Sequence, residues 1–103
     1  MEKTIFQIIA NSGEAKTKGL EALDAFQNGD LAKKDKLLKE AQEMVEKANK
    51  ILFKLIHNEA NGVKIPFSIL LIHACDILMN SITQIELINR LTRNVNNVPT
   101  TKR

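Results

Sequence analysis

Residues 67–94 read FSILLIHACDILMNSITQIELINRLTRN, and this stretch decides the fold class. Its spacing predicts one long helix from Phe67 to Asn94, with large apolar side chains on nearly every side. A helix that is apolar all round is buried on more than one side. One side can pack against other helices of the chain. We expect further copies of the chain to cover the other side.

A line of polar residues runs along this predicted helix in steps of three and four residues: His73, Asp76, Asn80, Thr83 and Gln84. Polar residues within an apolar seam between helices commonly fix the register and the number of copies. His73 has two interpretations at this point. It is either a core histidine with a satisfied hydrogen bond or, one turn before Asp76, a nucleophile, because a neutral imidazole can attack near neutral pH.

The first helix is predicted over residues 2–27. Its apolar stripe narrows to Ser12, Ala15 and Gly19, which predicts the close approach of another helix. Asn28-Gly29 ends the helix, because glycine suits the left-handed position after a helix C-terminus, and Asp30 is a good N-cap for the next helix. The full stripe comprises Ile5, Ile8, Ile9, Ser12, Ala15, Gly19, Ala22, Leu23 and Phe26.

The second helix is predicted over residues 31–60, with an apolar seam in steps of four and three. Asn61-Gly62 ends it, and Lys64-Ile65-Pro66 connects it to the third helix. His57 is expected on the surface near the helix C-terminus, where a cation is favourable. The predicted core face comprises Leu37, Leu38, Ala41, Met44, Val45, Ala48, Ile51, Leu52, Leu55 and Ile56, and the predicted solvated lysines are Lys33, Lys34, Lys36 and Lys39.

The composition predicts an all-α protein, an antiparallel up-down-up three-helix bundle. Its 103 residues suit one domain, which we place at 1–95 with a flexible tail at 96–103. The net charge of +3 is interleaved rather than clustered, so we expect no nucleic-acid partner. Cys75 is the single cysteine, which suits a reducing compartment. Without a secretory signal or a spanning segment, the protein is predicted to be cytoplasmic.

The string SILLIHACDILM at residues 68–79 resembles the active-site helix of the lactose/cellobiose-type IIA components of the sugar phosphotransferase system. The opening IIANSGEAKTKGLEALDAFQNGD is similar to the start of that family, with small residues and an Asn-Gly-Asp turn. The EANG segment and the PFS approach to the third helix are similar too. The resemblance covers roughly residues 5 to 93 and identifies the chain as a divergent member of the family.

The resemblance implies a homotrimer of three-helix subunits that act as a phosphotransferase. The residue aligned with the family's phosphorylated histidine is His73, which would accept a phosphoryl group from the phosphocarrier protein HPr. It would pass that group to a cysteine of the IIB component, for uptake of a lactose-, cellobiose- or chitobiose-type sugar through the membrane IIC permease. The residue aligned with the family's metal ligand near the trimer axis is Asp76. Oxygen ligands favour Mg²⁺ there, in a structural role.

Several residues depart from the family pattern around the histidine. Cys75 and Ile77 stand where glutamine and a second histidine are usual, and Asn49 stands where histidine is common. Leu52-Phe53 replace a Gln-Thr pair. Fewer polar neighbours weaken the orientation of an imidazole and the stabilisation of phosphoryl oxygens. An alternative is therefore a non-catalytic trimeric scaffold or regulator that retains the IIA fold, and an unrelated helical adaptor is a third possibility. Cys75 is interpreted as a small buried side chain rather than a nucleophile.

Overall fold

The computed structural model describes residues 1–65 and 67–93, and this part of the chain contains three helices and no strand. Helix α1 spans Glu2–Gln27, α2 spans Leu31–Ala60 and α3 spans Ile69–Thr92. One core cluster joins the starts of α1 and α3 to the end of α2, and a second joins the ends of α1 and α3 to the start of α2. α1 and α3 therefore run parallel, and α2 runs antiparallel to both. The predicted all-α three-helix architecture is confirmed, and so are the predicted bounds of α1 and α2.

Two glycines end α1 and α2 in the way that the sequence predicts. Gly29 has φ 79° and Gly62 has φ 91°, values that glycine adopts without strain. Asp30 then caps α2, because its Oδ1 accepts a hydrogen bond from the Lys33 backbone N–H at 3.1 Å. His57 is exposed in the last turn of α2, as predicted.

The start of α3 differs from the prediction. Ser68 is extended, and its Oγ accepts a hydrogen bond from the Leu71 backbone N–H at 3.1 Å, so that Ser68 is the N-cap and Phe67 lies outside the helix. Because Ser68 caps it, α3 begins at Ile69, two residues later than the start that was predicted from Pro66. α3 ends at Thr92. The predicted end at Asn94 and the tail at 96–103 lie outside the described residues.

α1 and α3 approach each other closely through small residues, as predicted. A Cβ atom added to Gly19 would lie 3.3 Å from Ile85 Cγ1 and 3.6 Å from Ile88 Cδ1. Ser81 Oγ donates a hydrogen bond to the Ser12 carbonyl at 2.9 Å, and both serines are fully buried. These contacts set the register of α3 against α1.

Two residues of α2 contradict the predictions made from the pattern. Lys34, predicted to be solvated, is only 5% exposed, because its Nζ lies 2.6 Å from Asp35 Oδ1 and 3.3 Å from the Thr92 carbonyl oxygen. The ammonium therefore sits on the C-terminal end of α3, where the helix dipole favours a cation. Ile56, predicted in the core, is about half exposed.

The two glycines inside α1 should respond differently to alanine. Nothing lies within 4 Å of a Cβ added to Gly13, so Gly13→Ala should stabilise the chain by about 0.5–1 kcal/mol through helix propensity. The free energy of unfolding of Gly19→Ala should be lower than that of Gly13→Ala by at least about 0.5 kcal/mol, because the packed Ile85 side chain must shift. Urea unfolding of both variants measures the difference. Equal stabilities would refute the close α1–α3 contact.

Removing the Lys34 ammonium should loosen the end of α3. In Lys34→Met the side chain keeps its apolar length, but the Thr92 carbonyl loses its partner. We expect backbone amides in the last turn of α3 to exchange about 3–5-fold faster in hydrogen–deuterium exchange. This ratio corresponds to a loss of up to about 1 kcal/mol in the free energy of local opening. Lys33→Met, at the exposed neighbouring position, is the control and should leave that turn unchanged.

Candidate functional site

The N-terminal half of α3 carries the predicted nucleophile. Ser68 caps the helix, and the Ile72 backbone N–H donates to the Ser68 carbonyl at 3.2 Å, which closes the first turn. His73 follows at the start of the second turn and is exposed. The first alternative, a core histidine with a satisfied hydrogen bond, is therefore wrong. None of the side-chain hydrogen bonds and ion pairs within residues 1–65 and 67–93 uses the His73 ring, so its nitrogens are open to a partner.

Helical rotation places His73 on the side of α3 that is next to α1. Ser81 faces α1, and a step of four residues turns a helix by about 40°, so Ile77 and then His73 lie progressively outward on that side. Cys75 lies about 200° from His73, on the side next to α2. There it lines a groove of about 240 Å³ together with Leu52 of α2.

Asp76 lies on the outward face of α3 and is exposed. Three residues turn a helix by about 300°, so Asp76 lies about 60° round the helix from His73. Large apolar side chains share this outward face, and Ile69 is the most exposed of them at 84%. The others are Ile72, Met79 and Leu87, all between 44% and 56% exposed. The polar residues Asn80 and Thr83 are exposed as well, and Gln84 is half-buried.

The structure describes Cys75 as a partly buried side chain. Burial, and secondarily the charge of the neighbouring Asp76 carboxylate, raise the pKa of the Cys75 thiol. A raised pKa keeps the thiol protonated near neutral pH, which disfavours a nucleophilic role.

The positions that depart from the family pattern divide between the two sides of α3. Leu52 is buried and lines the groove on the α2 side, where Cys75 also lies, and the adjacent Phe53 is exposed. Ile77 is half-buried on the same side as His73. A single chain therefore does not bring Leu52 and His73 to the same side of α3. Sequence patterns alone could not show this division, because it depends on how α3 is rotated against α1.

The second histidine has only a local partner. His57 Nε2 lies 3.0 Å from Asn61 Nδ2, four residues further along, at the C-terminal end of α2. This contact is a feature of the helix end and supplies no link to His73.

A single chain does not offer a metal site in its described residues. No group of three or more histidine, cysteine or acidic side chains lies together within residues 1–65 and 67–93. Asp76 contributes one carboxylate, and a hard cation in a protein takes several oxygen ligands. Asp76 could hold such a cation only together with equivalent residues from further copies.

No described helix is both long and apolar enough to cross a membrane.

Comparisons with known proteins agree on one family. A family model described as "PTS system, Lactose/Cellobiose specific IIA subunit" matches residues 3–95 of this chain. The Lichenan-specific phosphotransferase enzyme IIA component of Bacillus subtilis is 41% identical over 83 residues, which cover 81% of this chain and 76% of that protein. The lactose-specific EIIA component of Lactococcus lactis is 38% identical over 86 residues, covering 84% of this chain and 82% of that protein.

A solved structure has the same fold. The crystal structure of the PTS cellobiose specific enzyme IIA from Bacillus anthracis superposes with a TM-score of 0.85 at 38% sequence identity. The match covers 95% of this chain and 93% of that one. The helical architecture, the histidine on α3 and these matches together show that the chain belongs to the lactose/cellobiose-specific IIA family and is a phosphoryl-relay component of a sugar phosphotransferase system.

Proposed function

We propose that His73 is the residue that carries the phosphoryl group in this relay. The observation that supports it is the exposure of the His73 ring on α3, in a chain whose family relays phosphoryl groups. HPr is the proposed donor and a cysteine of a IIB component the proposed acceptor. The sugar is of the lactose, cellobiose or chitobiose type, and the chain meets the membrane only indirectly, through the IIC permease.

The two transfer steps balance without an added cofactor. An unprotonated ring nitrogen of His73 attacks the phosphorus of phosphohistidine on the donor, so that one N–P bond forms as another breaks. Each ring keeps a proton on its other nitrogen, so the donor leaves as neutral imidazole. In the second step a thiolate of the acceptor attacks the phosphorus, an S–P bond forms, and neutral His73 leaves. Such transfers depend on positioning and charge stabilisation rather than on covalent chemistry from the protein.

We further propose that three copies assemble through the outward face of α3. The apolar side chains of this face are costly to leave in water, since each buried large side chain contributes about 1.5–3 kcal/mol. Asp76 and Thr83 are seven residues apart, so they occupy equivalent positions in successive heptads of a seam between helices. Polar layers at equivalent positions favour one parallel register.

In such a homotrimer the three Asp76 carboxylates would lie near one axis. Clustered carboxylates repel one another, so either some are protonated or a divalent cation binds among them. Oxygen ligands favour a hard cation such as Mg²⁺. We assign this cation a structural role, and no step of the transfer passes through it.

Phosphorylation of His73 can be measured directly by intact mass spectrometry. We expect incubation with HPr, its upstream kinase and phosphoenolpyruvate to add one phosphate to the wild-type chain and none to His73→Ala. His57→Ala is the matched control, because His57 is the other histidine of the chain and is also exposed. It should be phosphorylated like the wild type.

Two outcomes would contradict the proposed role of His73. Phosphate on His73→Ala would place the carrier residue elsewhere. A wild-type chain that forms trimers by light scattering but takes up no phosphate would favour the non-catalytic scaffold that the departures at Cys75, Ile77 and Phe53 suggest.

Replacing Asp76 tests both the trimer and its cation. We expect Asp76→Leu to remain trimeric by light scattering with an equal or higher Tm, because it removes clustered buried charge. Mg²⁺ should raise the Tm of the wild type and leave that of Asp76→Leu unchanged. Asp24→Leu, at an exposed position of α1, is the control and should retain the response to Mg²⁺. Dissociation of Asp76→Leu, or a retained response to Mg²⁺, would count against these assignments.

A further inference from the structure

A groove of about 320 Å³ lies between α2 and the C-terminal half of α3. Its floor is apolar and includes the buried side chain of Ile85. Its rim carries two carboxylates and two side-chain amides, those of Glu46, Glu86, Gln42 and Asn89. Glu86 forms an ion pair with Arg90 at 3.5 Å, whereas Glu46 forms none within residues 1–65 and 67–93. The groove therefore presents the exposed Glu46 carboxylate to a cation from outside the chain.

Lys16 is an exposed cation on the other flank of the bundle. Gly19 faces α3, and Lys18 lies about 100° round α1 from it and binds Glu40 of α2 at 3.2 Å. Lys16 lies about 60° from Gly19 in the opposite sense, away from α2 and on the flank that it shares with His73. Across the described part of the chain, Lys16 takes part in no ion pair.

The register of α1 against α3 brings Lys16 level with the groove. Ser81 Oγ is 2.9 Å from the Ser12 carbonyl oxygen, and the two helices run parallel. Counting four residues forward on both helices places Lys16 level with Ile85. Ile85 lies in the middle of the stretch of α3 that lines the groove, so Lys16 and the groove have the same height on opposite flanks.

A cyclic trimer brings these two unlike flanks together. In the proposed assembly the copies are related by rotation about an axis along the outward face of α3, so the α1 flank of each copy faces the α2 flank of the next. Rotation alone does not shift a copy along the axis, and residues at the same height meet. Lys16 of one copy therefore faces the groove at Glu46 of the next. A lysine stem can cover the apolar floor while its ammonium reaches the carboxylate.

We propose that the groove between α2 and α3 receives the Lys16 side chain of a second copy, with Glu46 as its ion-pair partner. This inference rests on the proposed trimer. Three such contacts form in each trimer, one at each boundary between copies. They lie about 18 Å along α3 from His73, because Ile85 is twelve residues after it. The contact thus leaves the end of the bundle that carries His73 open to the relay proteins.

Charge reversal tests this pair. Sedimentation equilibrium over a dilution series measures the concentration at which half of the chains are trimeric. We expect Lys16→Glu and Glu46→Lys each to raise this concentration about tenfold, because each trimer loses three exposed ion pairs and gains like charges in their place. The double variant restores opposite charges and should return to within about threefold of the wild type. The effect of Lys16→Glu should shrink at about 1 M salt, which screens exposed charges.

Lys3→Glu is the matched control. It makes the same change of charge at an exposed position of the same helix, but Lys3 lies about 160° round α1 from Gly19 and points away from the bundle. It should leave the dissociation of the trimer unchanged. Circular dichroism checks that each variant keeps its helix content.

Different failures have different meanings. A wild-type chain that stays monomeric would refute the proposed trimer and the groove contact with it. A trimeric wild type whose dissociation is unchanged by both reversals, or is not restored in the double variant, would refute only the groove contact. Slower phosphorylation of a Lys16→Glu trimer of unchanged stability would assign Lys16 to a relay protein and overturn the inference. If Lys16→Glu does not fold, a Lys16→Gln trimer as stable as the wild type overturns it as well.

Discussion

The close contact between α1 and α3 is the constraint on which the rest of the structure depends. Gly19 and Ser12 allow the two helices to approach, and the hydrogen bond from Ser81 Oγ to the Ser12 carbonyl fixes their register. α3 packs more extensively on α1 than on α2. Each residue turns a helix by about 100°, so fixing Ser81 against α1 also fixes the direction of every other side chain of α3. His73 is exposed as a consequence of a contact two turns away.

Local signals in the sequence were sufficient for much of the fold. Asn28-Gly29 ends α1, and Asp30 caps α2. Few other residues meet the backbone and capping requirements of these positions, so the bounds of α1 and α2 were predicted correctly. The start of α3 was placed at Phe67 because Pro66 suits a first turn. Ser68 is the N-cap instead, because its side chain accepts a hydrogen bond from the Leu71 backbone N–H, one of the donors that have no partner within the helix.

Long-range contacts explain the errors and the gaps. Lys34 looked like one more solvated lysine, yet its partner is the Thr92 carbonyl, 58 residues away in the sequence. The polar line on α3 singled out His73 and Asp76 as candidate site residues, but it could not show which side of the bundle each one faces. That depends on the rotation of α3 against α1, which no pattern within α3 contains. For the same reason the division between Leu52 and His73 emerged only from the packed helices.

In the proposed trimer, the position of His73 would resolve a conflict between assembly and transfer. An apolar outward face gains free energy when it is covered, whereas a phosphoryl carrier must keep its imidazole within reach of two different proteins. A histidine in the middle of that face would be lost to partners once the face is covered. Asp76 and Thr83 occupy the middle of the outward face. His73 lies about 60° round the helix from Asp76, at the border between the outward face and the side next to α1. One helix can then serve as a contact between copies along its centre and as a carrier along its edge. In that proposed arrangement, a shift of α3 by a single residue, which rotates it by about 100°, would be incompatible with phosphoryl transfer through His73 even if the apolar packing survived.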